Sequence, residues 1–360
     1  IAEFTTLPGS RFPLEGASDA DIGANAQLSY TLSPSEHFSL DLQKTEEDGE
    51  SLFLILRKPL DRETLPVHRL LVTASDGGRP SLTGTMELVI SVLDANDNAP
   101  QFNQSVYKVQ LPENAERGTL VIRANAADLD LGTNGNISYS LRHLFPPEKR
   151  DLFEIHRKSG EISLSGDLDF EDVCLYRLQV DAVDQGNPPL SGHVKVVVEV
   201  LDVNDNAPEV RVTSLSVPVP EDAAVGTVVA LLSVSDRDSG ENGRVRCAVW
   251  PAAPFGLVAT FAGSYSLRNI VPELVLKKPL DRETLPVHRL LVTASDGGRP
   301  SLTGTMELVI SVLDANDNAP QFNQSVYKVQ LPENASAETL VARVNAMDPD
   351  EGINSEVTYR

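Results

Sequence analysis

Cysteine is almost missing from this chain of 360 residues: the two present, Cys174 and Cys247, stand in no CxxC pair and beside no plausible base. They fall in different modules on the division given below, so a mutual disulfide is not expected, and both read as small buried apolar residues that say nothing about location. Long apolar runs are missing too. No segment nears the roughly 20 residues needed to cross a bilayer, and the chain does not open on a basic stretch followed by an apolar one. Ile1 and Arg360 therefore read as cut ends of a longer protein, any membrane anchor lying in segments outside this sequence. Basic residues are scarce, 30 Lys and Arg against 52 Asp and Glu for a net charge of -22. Such a chain repels phosphate backbones and anionic lipid, which excludes nucleic acid and membrane surfaces as partners. Helical patterning is absent, because no stretch keeps apolar residues at i, i+3, i+4 and i+7 without an intervening Gly or Pro. There is no HExxH, no GxSxG and no phosphate-cradling Gly loop, and the six His are scattered.

The acids that dominate the chain fall at fixed positions. One string occurs three times: Asp94-Ala-Asn96-Asp97-Asn98-Ala-Pro100, Asp202-Val-Asn204-Asp205-Asn206-Ala-Pro208 and Asp314-Ala-Asn316-Asp317-Asn318-Ala-Pro320. Carboxylates and amide oxygens packed this densely, after a β-rich run and before a Pro, suit a hard cation at the seam between modules. The strings start 108 and 112 residues apart, a period of one domain and not of a solenoid unit. The division that follows is 1–98, 99–206, 207–318 and a partial module at 319–360. A surface made acidic only for solubility would not place its acids so regularly.

Within a module the segments 119–124, 135–141, 175–182 and 194–201 are rich in β-branched and aromatic residues, with turn formers such as Asp184-Gln-Gly-Asn-Pro-Pro189 between them. About seven such strands in roughly 100 residues predict an all-β Greek-key sandwich. Asn103, Asn136, Asn323 and Asn334 each have Ser two positions on and are candidate glycosylation sites, which leans toward secretion.

Aligning the modules on their acidic strings reveals four further motifs in constant order. A first-strand Glu recurs at Glu3, Glu113, Glu221 and Glu333. Asp-x-Asp-x-Gly-x-Asn follows, at Asp19 to Asn25, Asp128 to Asn134, Asp236 to Asn242 and Asp348 to Asn354. Leu-Asp-x-Glu places Asp61 with Glu63, Asp169 with Glu171 and Asp281 with Glu283, and a late Asp stands at Asp76, Asp184 and Asp296. One Asp-x-Asp-x-Gly would be weak evidence, since turns favour these residues anyway. Five motifs in one order, over essentially the whole chain, resemble the extracellular cadherin repeats. The stretch from Ser10 to Gly23 resembles the second repeat of a clustered protocadherin of the alpha type, so that the modules correspond to repeats two to four and the start of five. One feature departs from that family: residues 58–115 recur letter for letter as 278–335. The third module reads as a hybrid that begins as a fourth repeat, up to about Leu267, and ends as a second copy of the first module's back half.

The resemblance implies tandem β-sandwiches in an extended rod, with about three calcium ions at each complete junction. At the first junction it implies ligands from Glu3, Asp61 and Glu63, from Asp94, Asn96, Asp97 and the carbonyl of Asn98, and from Asp128, Asp130, Asp184 and the carbonyl of Asn134. The second set is Glu113, Asp169, Glu171, Asp202, Asn204, Asp205, Asn206, Asp236, Asp238, Asn242 and Asp296. The third is Glu221, Asp281, Glu283, Asp314, Asn316, Asp317, Asn318, Asp348, Asp350 and Asn354, its late Asp falling beyond Arg360. Asp19, Asp21 and Asp76 have the form of a lower half-site. Eight carboxylates at the first junction fit three divalent ions in charge, and catalysis by such carboxylate pairs is not expected, since a bound cation would keep all of them ionised.

By the same likeness the expected function is calcium-dependent, homophilic cell-cell recognition at the cell surface, a like ectodomain being the partner in trans and no small-molecule substrate being involved. The alternatives are a calcium-stiffened spacer without specific partner, or a chimeric fragment that does not bind. Arg11, Phe12 and Leu14 are candidates for an outward recognition patch, with local packing of the first inter-strand loop as the competing reading. The hybrid module keeps a workable spacing, 45 residues from Asp236 to Asp281 against 42 from Asp19 to Asp61. It is therefore expected to fold, and limited proteolysis should leave it as resistant as its neighbours; digestion of the third module alone would contradict this.

Overall fold

The computed structural model describes residues 1–45, 49–147, 151–260 and 269–360; the hybrid boundary near Leu267 lies outside them. Among the described residues there is no α-helix, only strands and two short 3-10 turns, Gly23–Ala26 and Gly352–Ser355. The chain forms two compact units, one of residues 1–169 with 173–201 and one of 170–172 with 202–360.

In the first unit the first module is built of two sheets. Arg11–Leu14, Gly49–Leu56 and Phe38–Thr45 form one, while Ser29–Leu32, Val67–Ser75 and Thr83–Ser91 form the other. Alternation along Val67–Ser75 turns His68, Leu70, Val72 and Ala74 inward, as a strand with one wet face requires. The second module pairs Ser138–Phe145, Leu175–Val183, Ser191–Leu201 and Val106–Pro112 in one sheet, the last two in parallel, and Phe153–Ile155, Glu161–Leu164 and Leu120–Arg123 in the other. Its first strand is divided, since Gln101–Phe102 pairs separately with Ala126–Ala127.

Three of the four predicted strands of this module are found within a few residues of their expected ends. The fourth, expected at 135–141, starts at Ser138 because Gly135 and Asn136 are held in a turn. Asn134 N–H donates to Leu131 O and Asn136 N–H to Thr133 O, and a Cβ on Gly135 would meet the Asp130 carbonyl at 2.1 Å.

The second unit carries the hybrid module. Glu209–Leu215, Val228–Ser235, Asn269–Leu276 and Phe255–Thr260 form one sheet, and Val219–Pro220, Thr303–Leu313, Val287–Ser295 and Arg246–Trp250 the other. Between them lies a core that includes Phe255, Leu274, Leu290, Val292 and Ile310, so the described part of the hybrid packs as a sandwich. A final short pair, Gln321–Phe322 with Ala346–Met347, opens the partial module.

Two sequence readings change here. Cys174 is exposed, not buried, because it sits in the turn just ahead of Leu175–Val183 and engages the sheet only through its carbonyl, which accepts from Val200 N–H. Cys247 is half-buried, and its surroundings push the thiol pKa up to about 11; both thiols are free. Arg11, Phe12 and Leu14 belong to a strand and not to a loop. Phe12 and Leu14 pack on the core of Phe38, Leu54 and Leu56, while Arg11 pairs with Asp41 and lies over the Phe53 ring at 5.2 Å.

The duplicated segment gives one strand in two settings. Thr303–Leu313 is flanked by Val219–Pro220, and the Pro208 carbonyl would lie 1.8 Å from a Cβ on Gly304. A Cβ on the equivalent Gly84 would meet nothing within 4 Å. Ile310 is accordingly fully buried and Ile90 is 7 % exposed. Ile310→Ala should cost about 2–5 kcal/mol and Ile90→Ala visibly less. Hydrogen exchange on the non-duplicated strands Val228–Ser235 and Phe38–Leu42 reads the two modules separately; equal losses would contradict the difference in packing.

Candidate metal centres at the linkers

At the first linker most contacts involve an acid that the sequence places at a turn. The bridge between Ala2 and Leu93 brings Glu3 to the end of its module, where its buried carboxylate accepts from Arg62 N–H at 2.6 Å and Ala95 N–H at 2.8 Å. Glu3 thereby ties the Leu-Asp-x-Glu turn to the linker. Asp61 closes that turn by accepting from Thr64 N–H (2.9 Å) and Thr64 Oγ1 (2.7 Å), bonds that hold its carboxyl below the ordinary range.

The linker is fastened to the following module in the same way. Asp94 accepts from Leu131 N–H (3.0 Å) and Asn134 Nδ2 (2.9 Å), and Asn98 donates through N–H (3.2 Å) and Nδ2 (2.8 Å) to the two oxygens of Asp130. Asp130 N–H in turn donates to Asp128 at 3.0 Å, closing the Asp-x-Asp turn. Asn96 gives Nδ2 to the Pro188 carbonyl at 2.7 Å and to Asp184 at 3.3 Å. That approach requires Gly186, since a Cβ there would lie 2.1 Å from the Asn96 carboxamide carbon.

Three separate segments thus deliver carboxylates to one place. One oxygen from each of Glu3, Glu63 and Asp94 lies within 4.8 Å of the other two, and the same holds for Glu63, Asp97 and Asp130. Burial first, and then neighbouring negative charge, raises the carboxyl pKa of Glu63, Asp97 and Asp128.

The second unit repeats the pattern. Asp202 accepts from Ser239 N–H (3.1 Å) and Asn242 Nδ2 (2.8 Å), Asn206 Nδ2 donates to Asp238 at 2.7 Å, and Asn204 Nδ2 to the Pro300 carbonyl at 2.7 Å. Asp296 holds its loop by accepting from Gly298 and Leu302 N–H, both at 3.0 Å. Glu171, Asp202 and Asp238 come together within 4.8 Å, and burial raises Asp236 and Asp238. Of the remaining residues predicted for this set, Glu113 and Asp169 belong to the first unit, and Asp205 to the second.

Farther along the second unit, Glu221 accepts from Arg282 N–H (2.8 Å) and Ala315 N–H (2.6 Å), and Asp314 from Glu351 N–H (3.1 Å) and Asn354 Nδ2 (2.8 Å). Asn318 Nδ2 donates to Asp350 at 2.9 Å, Asp350 N–H donates to Asp348 at 3.2 Å, and Glu221, Asp281 and Glu283 form a group within 4.8 Å. Asp317 is raised by burial and by Glu221, whereas Asn316 is exposed. Asp21 N–H donates to Asp19 at 2.9 Å and Asp76 accepts from Leu82 N–H at 2.9 Å, so these three have the local geometry of the lower loops. Asn103, Asn136, Asn323 and Asn334 are all exposed.

The donors are all oxygens, and several buried ones have no hydrogen-bond donor: Asp128 Oδ2, Asn96 Oδ1, Asp236 Oδ2 and Asn204 Oδ1. Carboxylate and amide oxygens in flexible, multi-segment arrangements fit calcium rather than zinc or copper. What sequence reasoning passed over is the cation already present. Arg62 and Arg282, the x of Leu-Asp-x-Glu, place their guanidinium groups among the carboxylates, side chains only 10 % and 13 % exposed. A basic residue inside an otherwise acidic motif was the available signal.

The Cadherin domain family model matches residues 6–93, 107–201 and 215–313. Human protocadherin alpha-5 is 53 % identical over 353 residues, covering 98 % of this chain and 37 % of that protein, and chimpanzee protocadherin alpha-13 is 53 % identical over 352 residues, covering 98 % and 36 %. The chain therefore spans little more than a third of these relatives. Among solved structures, protocadherin gamma B2 extracellular cadherin domains 1-5 superpose with TM-score 0.89 at 39 % identity, covering 99 % of this chain and 65 % of that one. Protocadherin gamma B7 extracellular cadherin domains 1-4 give 0.76 at 43 %, covering 87 % and 73 %. Cadherin domains bind calcium, and this family is one of adhesion proteins and not of enzymes. The chain belongs to the cadherin family and, within it, to the clustered protocadherins, most like the alpha type.

Proposed function

We propose that the chain is a calcium-stiffened part of a cell-surface ectodomain, with modules at 1–98, 99–206, 207–318 and 319–360, that pairs with a like ectodomain in trans. The observation that carries this reading is the convergence of Glu3, Glu63, Asp94, Asp97 and Asp130 from two modules and the linker between them. Calcium takes six to eight oxygens, and the donors here would serve about three ions at a complete junction. The role of the ion is mechanical. Each carboxylate shared between modules becomes an attraction when a divalent cation lies between it and its neighbours, and the Pro after each acidic string fixes φ at the start of the next module.

The remaining predicted ligands, Asp61, Asn96, Asn98, Asn134 and Asp184 at the first linker, and the corresponding sets at the other two, complete the coordination in this reading. The second acidic string, which differs from the first only in carrying Val203 for Ala95, is assigned to the same role. Stiff modules then hold recognition surfaces at a fixed distance from a membrane, and homophilic specificity resides on the outward sandwich faces. The four exposed sequon asparagines would carry glycans on an extracellular protein.

The test is small-angle scattering of wild type and Asp97→Ala, with calcium and with chelator, at several protein concentrations. Wild type should be extended in calcium and softer in chelator, and Asp97→Ala should stay flexible at the first linker in calcium with every module folded. A concentration-dependent doubling of mass supports recognition, a constant monomer mass favours the spacer, and profiles indifferent to calcium overturn the reading.

A further inference from the structure

Arg62 bridges three parts of the chain. Its Nε lies 2.5 Å from Asp94 in the linker, its Nη2 pairs with Glu63 of its own module, and the same Nη2 donates to the Leu129 carbonyl, in the Asp-x-Asp loop of the next module, at 2.7 Å. Arg282 repeats this, with Asp314 at 2.6 Å, Glu283 at 2.7 Å, the Pro349 carbonyl at 3.2 Å and Glu351 at 3.4 Å.

A guanidinium is charged at every physiological pH and presents five donors in a fixed planar fork, so contacts of this kind do not depend on metal. Held at 10 % exposure among several carboxylates, such a fork offsets part of their repulsion when no cation is bound. It also competes with a cation, because Asp94 Oδ1 and Asp314 Oδ1 face the arginine and belong to the predicted calcium ligands.

We propose that Arg62 and Arg282 are metal-independent tethers that keep the first and third linkers partly ordered when calcium is scarce, at the expense of calcium affinity. This rests on the calcium reading of the linkers.

The test uses the full chain with Cys174 and Cys247 replaced by Ser and a pair of spin labels on exposed positions of the first and second modules, its distance distribution recorded in chelator and across a calcium titration. Arg62→Phe should broaden the distribution in chelator, leave it unchanged in saturating calcium, and lower the half-saturating calcium about tenfold, since one unit of competing positive charge is removed. A residue with only a packing role would loosen the linker in both conditions and weaken calcium binding. Arg62→Lys, which keeps the charge without the fork, should keep the wild-type calcium midpoint but broaden in chelator. An unchanged chelator distribution in Arg62→Phe overturns the proposal, whereas a wild-type distribution that does not narrow with calcium overturns the calcium reading itself.

Discussion

Like-charge repulsion at close range is the constraint that the rest of the structure answers. Glu3, Asp61, Glu63, Asp94, Asp97, Asp128, Asp130 and Asp184 all meet around one linker, with Arg62 among them. Two unit charges 4 Å apart interact by about 4 kcal/mol at the effective dielectric of a protein surface, so this gathering is tolerable only with hydrogen-bond donors and cations interleaved. Backbone N–H groups supply part of the answer at Glu3, Asp94, Asp130 and Asp184, and a guanidinium supplies another part. Burial, and then the remaining negative charge, still raises the carboxyl pKa of Glu63, Asp97 and Asp128.

The sandwiches exist, in this light, to hold acids at their ends. Turns at the end of one module present Glu3 and the Asp61 turn, and the first loops of the next present Asp128 to Asn134. Between them the acidic string is too short to do anything but span the gap. Gly186 and Gly298 let Asn96 and Asn204 dock against the late Asp loops, a close approach that any side chain at either position would block. The core beneath is ordinary β-sandwich packing, which explains why the third module still encloses Phe255 and Leu274: its inward positions keep the period of two even though its back half repeats that of the first module.

Much of this was legible in the sequence, for physical reasons. Strands alternate visibly, and acids at fixed spacing from a Pro cannot be mistaken for a solvated surface. Where the reading went astray, local tertiary context decided. The habits of its residue type predict a buried Cys174, but its place at a strand entrance leaves it exposed. The sequence leaves Arg11, Phe12 and Leu14 between an outward patch and the packing of an inter-strand loop, yet Phe12 pairs with Leu54 in a sheet. The role of Arg62 was hidden for a different reason: its partners, Asp94 and Leu129, are 32 and 67 residues away, and no local pattern announces contacts of that range.

The measurement that bears most directly on the account is the number of calcium ions bound per chain as a function of free calcium, by equilibrium dialysis. The account predicts several ions taken up between about 10⁻⁴ and 10⁻³ M, approaching about three for each complete junction. A chain that binds no calcium through that range would show that its carboxylates are balanced by their own hydrogen bonds and arginines, and the mechanical role assigned to the linkers would be wrong.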